Sequence, residues 1–263
     1  MDRGESHAPV DDSESLVSLA ARKALPEHQY IDWATVAWIQ GNRSEIPRAE
    51  RQVMPSLSDS VRRILLSAPI PLDWHAEPLL ADTIHGTRHL LRTAVFAAIL
   101  ADENGLEEEL IEALVVAGAL HDCRRLHDKD DFGHGSRGAD WFISHVDEIA
   151  EYFDLRCSPR HLAKAAIAIA LHEVPYAAFT EEHHFAWRSA GPLVDLLKTA
   201  DALDRYRLPK LKWWPREDLL AHRAPPWLHR LAFFLVIDSE SRFLRGVTGA
   251  EAVRASLTVR GLL

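Results

Sequence analysis

The dipeptide His121-Asp122 closes the apolar run Leu114-Val115-Val116-Ala117-Gly118-Ala119-Leu120. An imidazole beside a carboxylate at the end of a buried segment can bind a cation, but two donors alone hold one poorly. Further donors stand elsewhere. His89 lies 32 residues upstream, in His85-Gly86-Thr87-Arg88-His89, and Asp201 lies far downstream, in Thr199-Ala200-Asp201-Ala202. Two imidazoles and two carboxylates suit a divalent metal that keeps positions open for water or substrate.

Other chemistries find little footing. The chain has no GxxxxGK loop, no GxGxxG and no GxSxG, so the usual phosphate cradles and the nucleophile elbow are missing. His85 and His89 are four apart and can share a helix face, yet position 86 is glycine and the glutamate of a HExxH zinc motif is absent. Cys123 adjoins the dipeptide without an obvious activating partner and reads as a small buried side chain. Cys123 and Cys157 are the only cysteines, so there is no disulfide framework and no CxxC site.

Elements that could position these residues are helical. With 263 residues and 47% apolar content, the chain can bury a large core. Helical spacing of apolar residues predicts helices in SESLVSLAARKAL, with Ser13 or Ser15 as cap, in YIDWATVAWIQ and in SDSVRRILLSA. Proline-rich PIPLDWHAEP reads as a linker. Then come TIHGTRHLLRTAVFAAILADENG, stopped by Gly105, EEELIEALVVAGALHD with acids in its first turn, and HGSRGADWFISHVDEIAEYF. SPRHLAKAAIAIALHE, GPLVDLLKTADALDRYRL, PWLHRLAFFLVIDSESRF and TGAEAVRASLTV follow; FFLVI alone looks like a strand, in a helical context. The fold class expected is all-α. Residues 1 to about 12 read as disordered, and 1–80 as a tail and helical extension before a core at 81–263. His183 and His184, in EEHHF, read as loop residues.

Four segments, in order, resemble the HD-domain superfamily of metal-dependent phosphohydrolases: HGTRHLLR, ALHDCRRLHDKDDFGHGSRGA, AIAIALHE and LKTADALDRYRL. The resemblance implies a helical bundle in which His89, His121, Asp122 and Asp201 converge on a metal. It also implies roles for His134, 12 residues after Asp122, and for His172, 38 further on: binding a second metal or contacting substrate phosphate. Asp122 would then bridge two ions, as two-metal hydrolysis requires. His127 competes with His134 for that place, and His85 reads as a pocket residue. The implied cofactor is one or two divalent ions of Mn, Fe, Co or Ni, with Mg as an alternative.

A phosphohydrolase needs cations besides its metal, because charge grows on the phosphoryl oxygens in the transition state. Arg125 and Arg205 are the leading candidates, with Arg124 and Arg137 behind them. The expected catalytic set is therefore Asp122, His134, His172, Arg125 and Arg205. Trp213 and Trp214, in KLKWWPR, read as a lid, a partner contact or core. Asp204 reads as a partner that orients a ligand histidine.

The expected partner is a small phosphorylated molecule such as a nucleotide. A net charge of -9 argues against a nucleic-acid binder. No apolar run is long enough for a membrane span, the polar N-terminus is unlike a secretory signal, and a reduced, cytoplasmic setting is expected. Oligomeric state is left open. Two rivals share the residues: a mixed-valent diiron oxygenase of the same superfamily, built on the six-residue His/Asp set, and a non-catalytic ligand-sensing module stapled by metal. The branch that hydrolyses ppGpp is disfavoured, because Cys123-Arg124-Arg125 stands where that branch carries an acidic pair.

Overall fold

The computed structural model describes residues 14–48 and 55–263. Among them are twelve α-helices and no strand, which is the expected class. The expectation of disorder over residues 1 to 12 falls outside the described residues, as does Ser13.

Three helices precede the centre: α1 (Leu16–Ala21), α2 (Trp33–Gly41) and α3 (Asp59–Ser67). Their starts follow from short polar caps. Ser15, Asp32 and Ser58 each accept a backbone N–H of their own first turn. The first helix is shorter than its periodicity predicts. Lys23 turns left-handed at φ 60, and Ala24 N–H returns to Leu19 O at 2.9 Å. That closes the helix as a Schellman turn does. The released segment, residues 24–30, then runs onto the main body.

The centre is α4 (Thr87–Glu103) packed on α5 (Glu108–Leu120). Every residue of α4 from Thr87 to Ala101 is buried. A helix covered on all sides is the axis of a bundle. Gly105, at φ 66, ends it as expected. The helix begins only at Thr87, with Gly86 as N-cap, so His85 lies before it and does not share its face with His89. Glu108 and Glu109 favour the start of α5.

Around this pair stand α6 (His134–Ser144), α7 (Val146–Tyr152), α8 (Pro159–Leu171), α9 (Glu181–Ala190), α10 (Leu193–Asp204), α11 (Pro226–Phe243) and α12 (Gly249–Thr258). α8 packs on α5 and carries α6 outside it. α10 packs on α4, and α11 and α12 cover the far side of α4. Two expectations are corrected. The segment from His134 to Phe153 is two helices, because His145 leaves helical geometry at φ -121 while its ring stacks on Trp141. EEHHF is part of α9, whose Thr180 and His183 form a reciprocal capping box. A histidine at the third helical position supplied the capping partner usually drawn from Glu or Gln.

The apolar core is continuous from Ile31, Val36, Ile39 and Ile64 through the α4–α5 pair to Val253 and Leu257. Among the described residues, no helix is long and apolar enough to cross a membrane.

The closest approach within the central pair is at Gly118. A Cβ there would stand 2.9 Å from Ala94 Cα. Alanine gains about 1 kcal/mol over glycine in helix propensity. Here that gain loses to contact with a backbone atom that cannot rotate away. Gly118→Ala is expected to destabilise the protein by about 1–3 kcal/mol in denaturant unfolding, and a stabilised variant would refute this packing.

Candidate metal centre and its cleft

Four histidines and two carboxylates meet where α4, α5, α6, α8 and α10 converge. His89 comes from the first turn of α4. His121 and Asp122 follow the last residue of α5, where the chain still turns. His134 opens α6, His172 follows α8, and Asp201 lies in the last turn of α10. The distances define two groups joined by Asp122. On one side, His89 Nε2 is 3.0 Å from His121 Nε2, and each nitrogen faces Asp201 Oδ1, at 3.5 and 3.9 Å. Asp122 Oδ2 is 3.5 Å from His89 Nε2. On the other side, His134 Nε2 is 3.0 Å from His172 Nε2, and Asp122 Oδ1 faces them at 3.0 and 3.3 Å.

The other ring nitrogens explain these orientations. His121 Nδ1 meets Gly118 O at 2.9 Å, and His172 Nδ1 meets Ile169 O at 2.6 Å. His134 Nδ1 meets Asp131 O at 2.6 Å, and His89 Nδ1 meets Asp204 Oδ2 at 2.8 Å. Each partner only accepts, so each Nδ1 carries the proton and donates it. The Nε2 atoms then face one another in two pairs, each 3.0 Å apart, an approach that sets lone pairs in repulsion unless a proton or a metal cation stands between them. Two nitrogens held at about 2.1 Å from one ion with a right angle between them would lie about 3 Å apart. Asp122 Oδ1, buried, lacks a well-aligned hydrogen bond. The donor set therefore fits a divalent metal, and two compact groups of donors exist: His89, His121 and Asp201, and His121, Asp122 and His172.

Electrostatics agree. Burial lowers the His121 pKa to about 3, keeping the ring neutral. Burial opposes ionisation of Asp122, but Arg125 and the neighbouring histidines outweigh it and hold the carboxyl well below its usual range. Asp201 is likewise lowered, His89 and His121 outweighing burial. With no ion present, His134 is raised to about 10: burial works against this, and Asp122 and then Glu173 prevail. A spot that draws a proton onto an imidazole this strongly is a spot that accommodates positive charge.

Asp122, His134, His172 and Asp201 of the cluster form the floor of a cleft of about 1240 Å³, large enough for a nucleotide-sized molecule. Arg125, Arg205, Arg207, Lys23, Lys210 and Lys212 line it. Arg125 is buried; its Nη2 donates to Lys129 O at 2.8 Å, and its Nη1 lies 3.7 Å from Asp122 Oδ2. Arg205 is exposed, and its Nε donates to Trp213 O at 2.8 Å. The weaker candidates are engaged elsewhere. Arg137 binds both oxygens of Asp131 at 2.7 and 2.6 Å, and Arg124 donates to Trp74 O at 3.0 Å. Neither lines the cleft.

His85 does line it, with Nδ1 2.8 Å from Asp128 Oδ1. His127 does not line the cleft, whereas His134, although in neither compact donor group, reaches the cluster through Asp122 and His172. His183 lines the wall from α9, and Trp213 lines the cleft while Trp214 is buried against Tyr206, Trp38 and Phe233.

Three contributors escaped the sequence reading. Glu173 accepts from Gly135 N–H at 2.7 Å and Gly133 N–H at 3.2 Å, docking the start of α6 on α8. It follows His172 directly, so its place in the motif was a usable signal. Arg207, buried, donates from Nε to Ile84 O at 2.6 Å on the cleft wall. Asp128 accepts from Gln29 N–H at 2.6 Å and Thr83 hydroxyl at 2.9 Å, tying the segment after α1 to the cleft. Its partner lies 99 residues away, and no local pattern marks it.

Residues 86–206 match the family model of the HD domain. No curated protein and no solved structure matches the chain.

Cys123, beside the cluster, is buried, and burial pushes its thiol up to about 12; the half-buried Cys157 is pushed up to about 11. Their thiolates accumulate only as pH rises towards those values. In the native protein both are expected to resist thiol reagents at neutral pH and to react after unfolding. Rapid native labelling of Cys123 would show an activated nucleophile and refute the assignment.

Proposed function

The chain carries an HD domain, and we propose that it is a metal-dependent phosphohydrolase acting on a nucleotide or another small phosphorylated metabolite. The observation that supports this most is Asp122, whose Oδ2 faces His89 and whose Oδ1 faces His134 and His172, at the floor of a cleft that Arg125, Arg205 and Arg207 also line. The proposed ligands are His89, His121, Asp122 and Asp201 for one ion, and Asp122, His134 and His172 for a second. Divalent Mn, Fe, Co or Ni suits imidazole and carboxylate together, and Mg suits the carboxylates. A bound ion would lower the pKa of water and stabilise charge on the phosphoryl oxygens.

The chain's own residues would do the rest. Arg125, buried and fixed through Lys129 O, presents Nη1 beside Asp122, so it can meet a phosphoryl oxygen without reorganising in the transition state. Arg205, exposed at the rim, would bind and orient the phosphorylated end. Trp213 and the exposed Phe132 offer apolar faces for the remainder of the substrate. Leu25 and Trp213 pack on the small cluster of Leu16, Ile84 and Leu208, so the proposed N-terminal extension, 1–80, builds part of the specificity wall.

The six-residue His/Asp set gathered at one point also supports the diiron oxygenase reading. Iron content and oxygen consumption separate the two.

Three outcomes are expected. Replacing His121 and Asp122 together with alanine abolishes metal content measured by elemental analysis; stoichiometric metal in that variant refutes the ligand set. His134→Ala and His172→Ala lose less metal than His121→Ala yet are severe in turnover; normal turnover in both would make these histidines structural. In a phosphate-release screen over nucleotides with Mn²⁺, Mg²⁺, Co²⁺ and Fe²⁺, an active substrate emerges, and Arg125→Ala lowers kcat about 10²-fold. Silence across the screen with oxygen uptake by iron-loaded protein would replace hydrolase by oxygenase.

A further inference from the structure

His89 is held by a chain of buried charges that leaves the family-matched segment and ends on α11. Asp204 Oδ2 accepts from His89 Nδ1 at 2.8 Å. The same carboxylate is gripped by Arg92, Nε to Oδ1 at 2.5 Å and Nη2 to Oδ2 at 3.0 Å. The remaining terminal nitrogen of Arg92, Nη1, donates to Glu240 Oε1 at 2.7 Å and to Ser239 Oγ at 2.9 Å. Glu240 Oε2 accepts from Arg88 Nε at 2.7 Å, and the Arg88 guanidinium lies 3.6 Å from the Phe243 ring centroid. His89, Arg92 and Asp204 are wholly buried, and Arg88 and Glu240 nearly so.

We propose that Glu240, outside the matched segment 86–206, is a positioning residue for the metal centre, acting through Arg92 and Asp204 on His89. This rests on the reading of His89 as a ligand. Geometry forces the coupling. Arg88, His89 and Arg92 sit on one turn and a half of α4, so both arginines flank the ligand histidine. Glu240 uses one oxygen for each arginine and fixes both rotamers at once. Arg92, so fixed, turns its fork to Asp204 and sets the carboxylate that orients His89. Groups of this kind, one step removed from the ligand, fix ring orientation and raise ligand basicity.

The network is a poor device for stability alone. Desolvating four ionised side chains costs more than an apolar replacement of the same shape, and ion pairs of this kind often contribute nothing net. Its balance also bears on a cation. Without Glu240, Arg88 would keep no carboxylate partner and Arg92 would keep only Asp204, which leaves excess positive charge on the helix turn that carries His89. Orientation and charge thus act in the same direction, against metal uptake.

The test uses the full chain loaded with Co²⁺, reading the dissociation constant and the visible ligand-field spectrum, with the melting temperature of the ion-free protein measured alongside. Glu240→Gln is expected to weaken Co²⁺ binding about 10-fold and to alter the spectrum. Glu240→Asp, which keeps the charge and shortens the reach, is expected to fall between it and the native protein. Should the glutamine variant fail to fold, the aspartate variant carries the test. Val236→Ala, a buried position on the same helix outside the network, is expected to lower the melting temperature with unchanged affinity and spectrum. Native Co²⁺ affinity and spectrum in both Glu240 variants, with binding lost in His121→Ala, would overturn the relay and leave the metal reading standing. Failure of the native chain to take up Co²⁺ would overturn both.

Discussion

Two carboxylates and four imidazole lone pairs share one desolvated space, and the neighbouring structure is arranged around that accumulation of electron density. Asp122 and Asp201 face His89, His121, His134 and His172 within 4 Å. Such a group is stable only with positive charge in it. The fold supplies no lysine or arginine at its centre. It places Arg125 at the edge instead, 3.7 Å from Asp122, and leaves the interior to donor atoms alone.

Backbone carbonyls do much of the orienting. His121 is tied to Gly118, His134 to Asp131 and His172 to Ile169, each three residues earlier. A histidine just past a helix end, or at its first residue, can return its Nδ1–H to the preceding turn, and its Nε2 then points away from the helix. Three of four histidines use this local device. His89 differs, because its preceding turn is committed to the start of α4. It relies on Asp204 and, behind it, a network of charged side chains from α10 and α11. Tight helix packing brings these sites together: Gly118 lets α5 lie on the backbone of α4, and Gly135 lets α6 lie on α8, where a Cβ would meet Ile169 O at 2.7 Å.

The cleft above the centre joins two kinds of surface. Its cations come largely from the segment 205–212 and from Arg125, and its apolar wall comes from Leu25, Ile84, Leu208 and Trp213. Asp128 links them. It receives the backbone of Gln29, the hydroxyl of Thr83 and the ring of His85, joining the segment after α1 to both segments that lead into candidate ligands. Burial raises its pKa, and its hydrogen bonds and the nearby arginines act in the opposite direction.

The all-α class and most helices were legible in the sequence, because they rest on local signals, whereas the six His/Asp residues were named partly from His-Asp at the close of an apolar run and partly from the resemblance of four segments. Periodicity marked the buried faces, Ser15 marked a cap, and His-Asp at the close of an apolar run marked the first donors. Local signals failed where a non-local or unusual contact decided. Lys23 ended α1 early by a left-handed turn, His145 split one expected helix in two, and His183 capped a helix in a segment expected to be loop. Arg124 and Arg137 ranked behind Arg125 as phosphate contacts, and packing turns both away from the cleft, onto Trp74 and Asp131. Glu240 left one mark, an acid on the helix face that carries Phe233 and Val236, but its partners are 148 and 152 residues away. The sequence by itself determined which atoms could bind a cation, since donor chemistry belongs to residue type. The tertiary structure decided which of them share a space and which are held in place, because those depend on separations along the chain that no local pattern encodes.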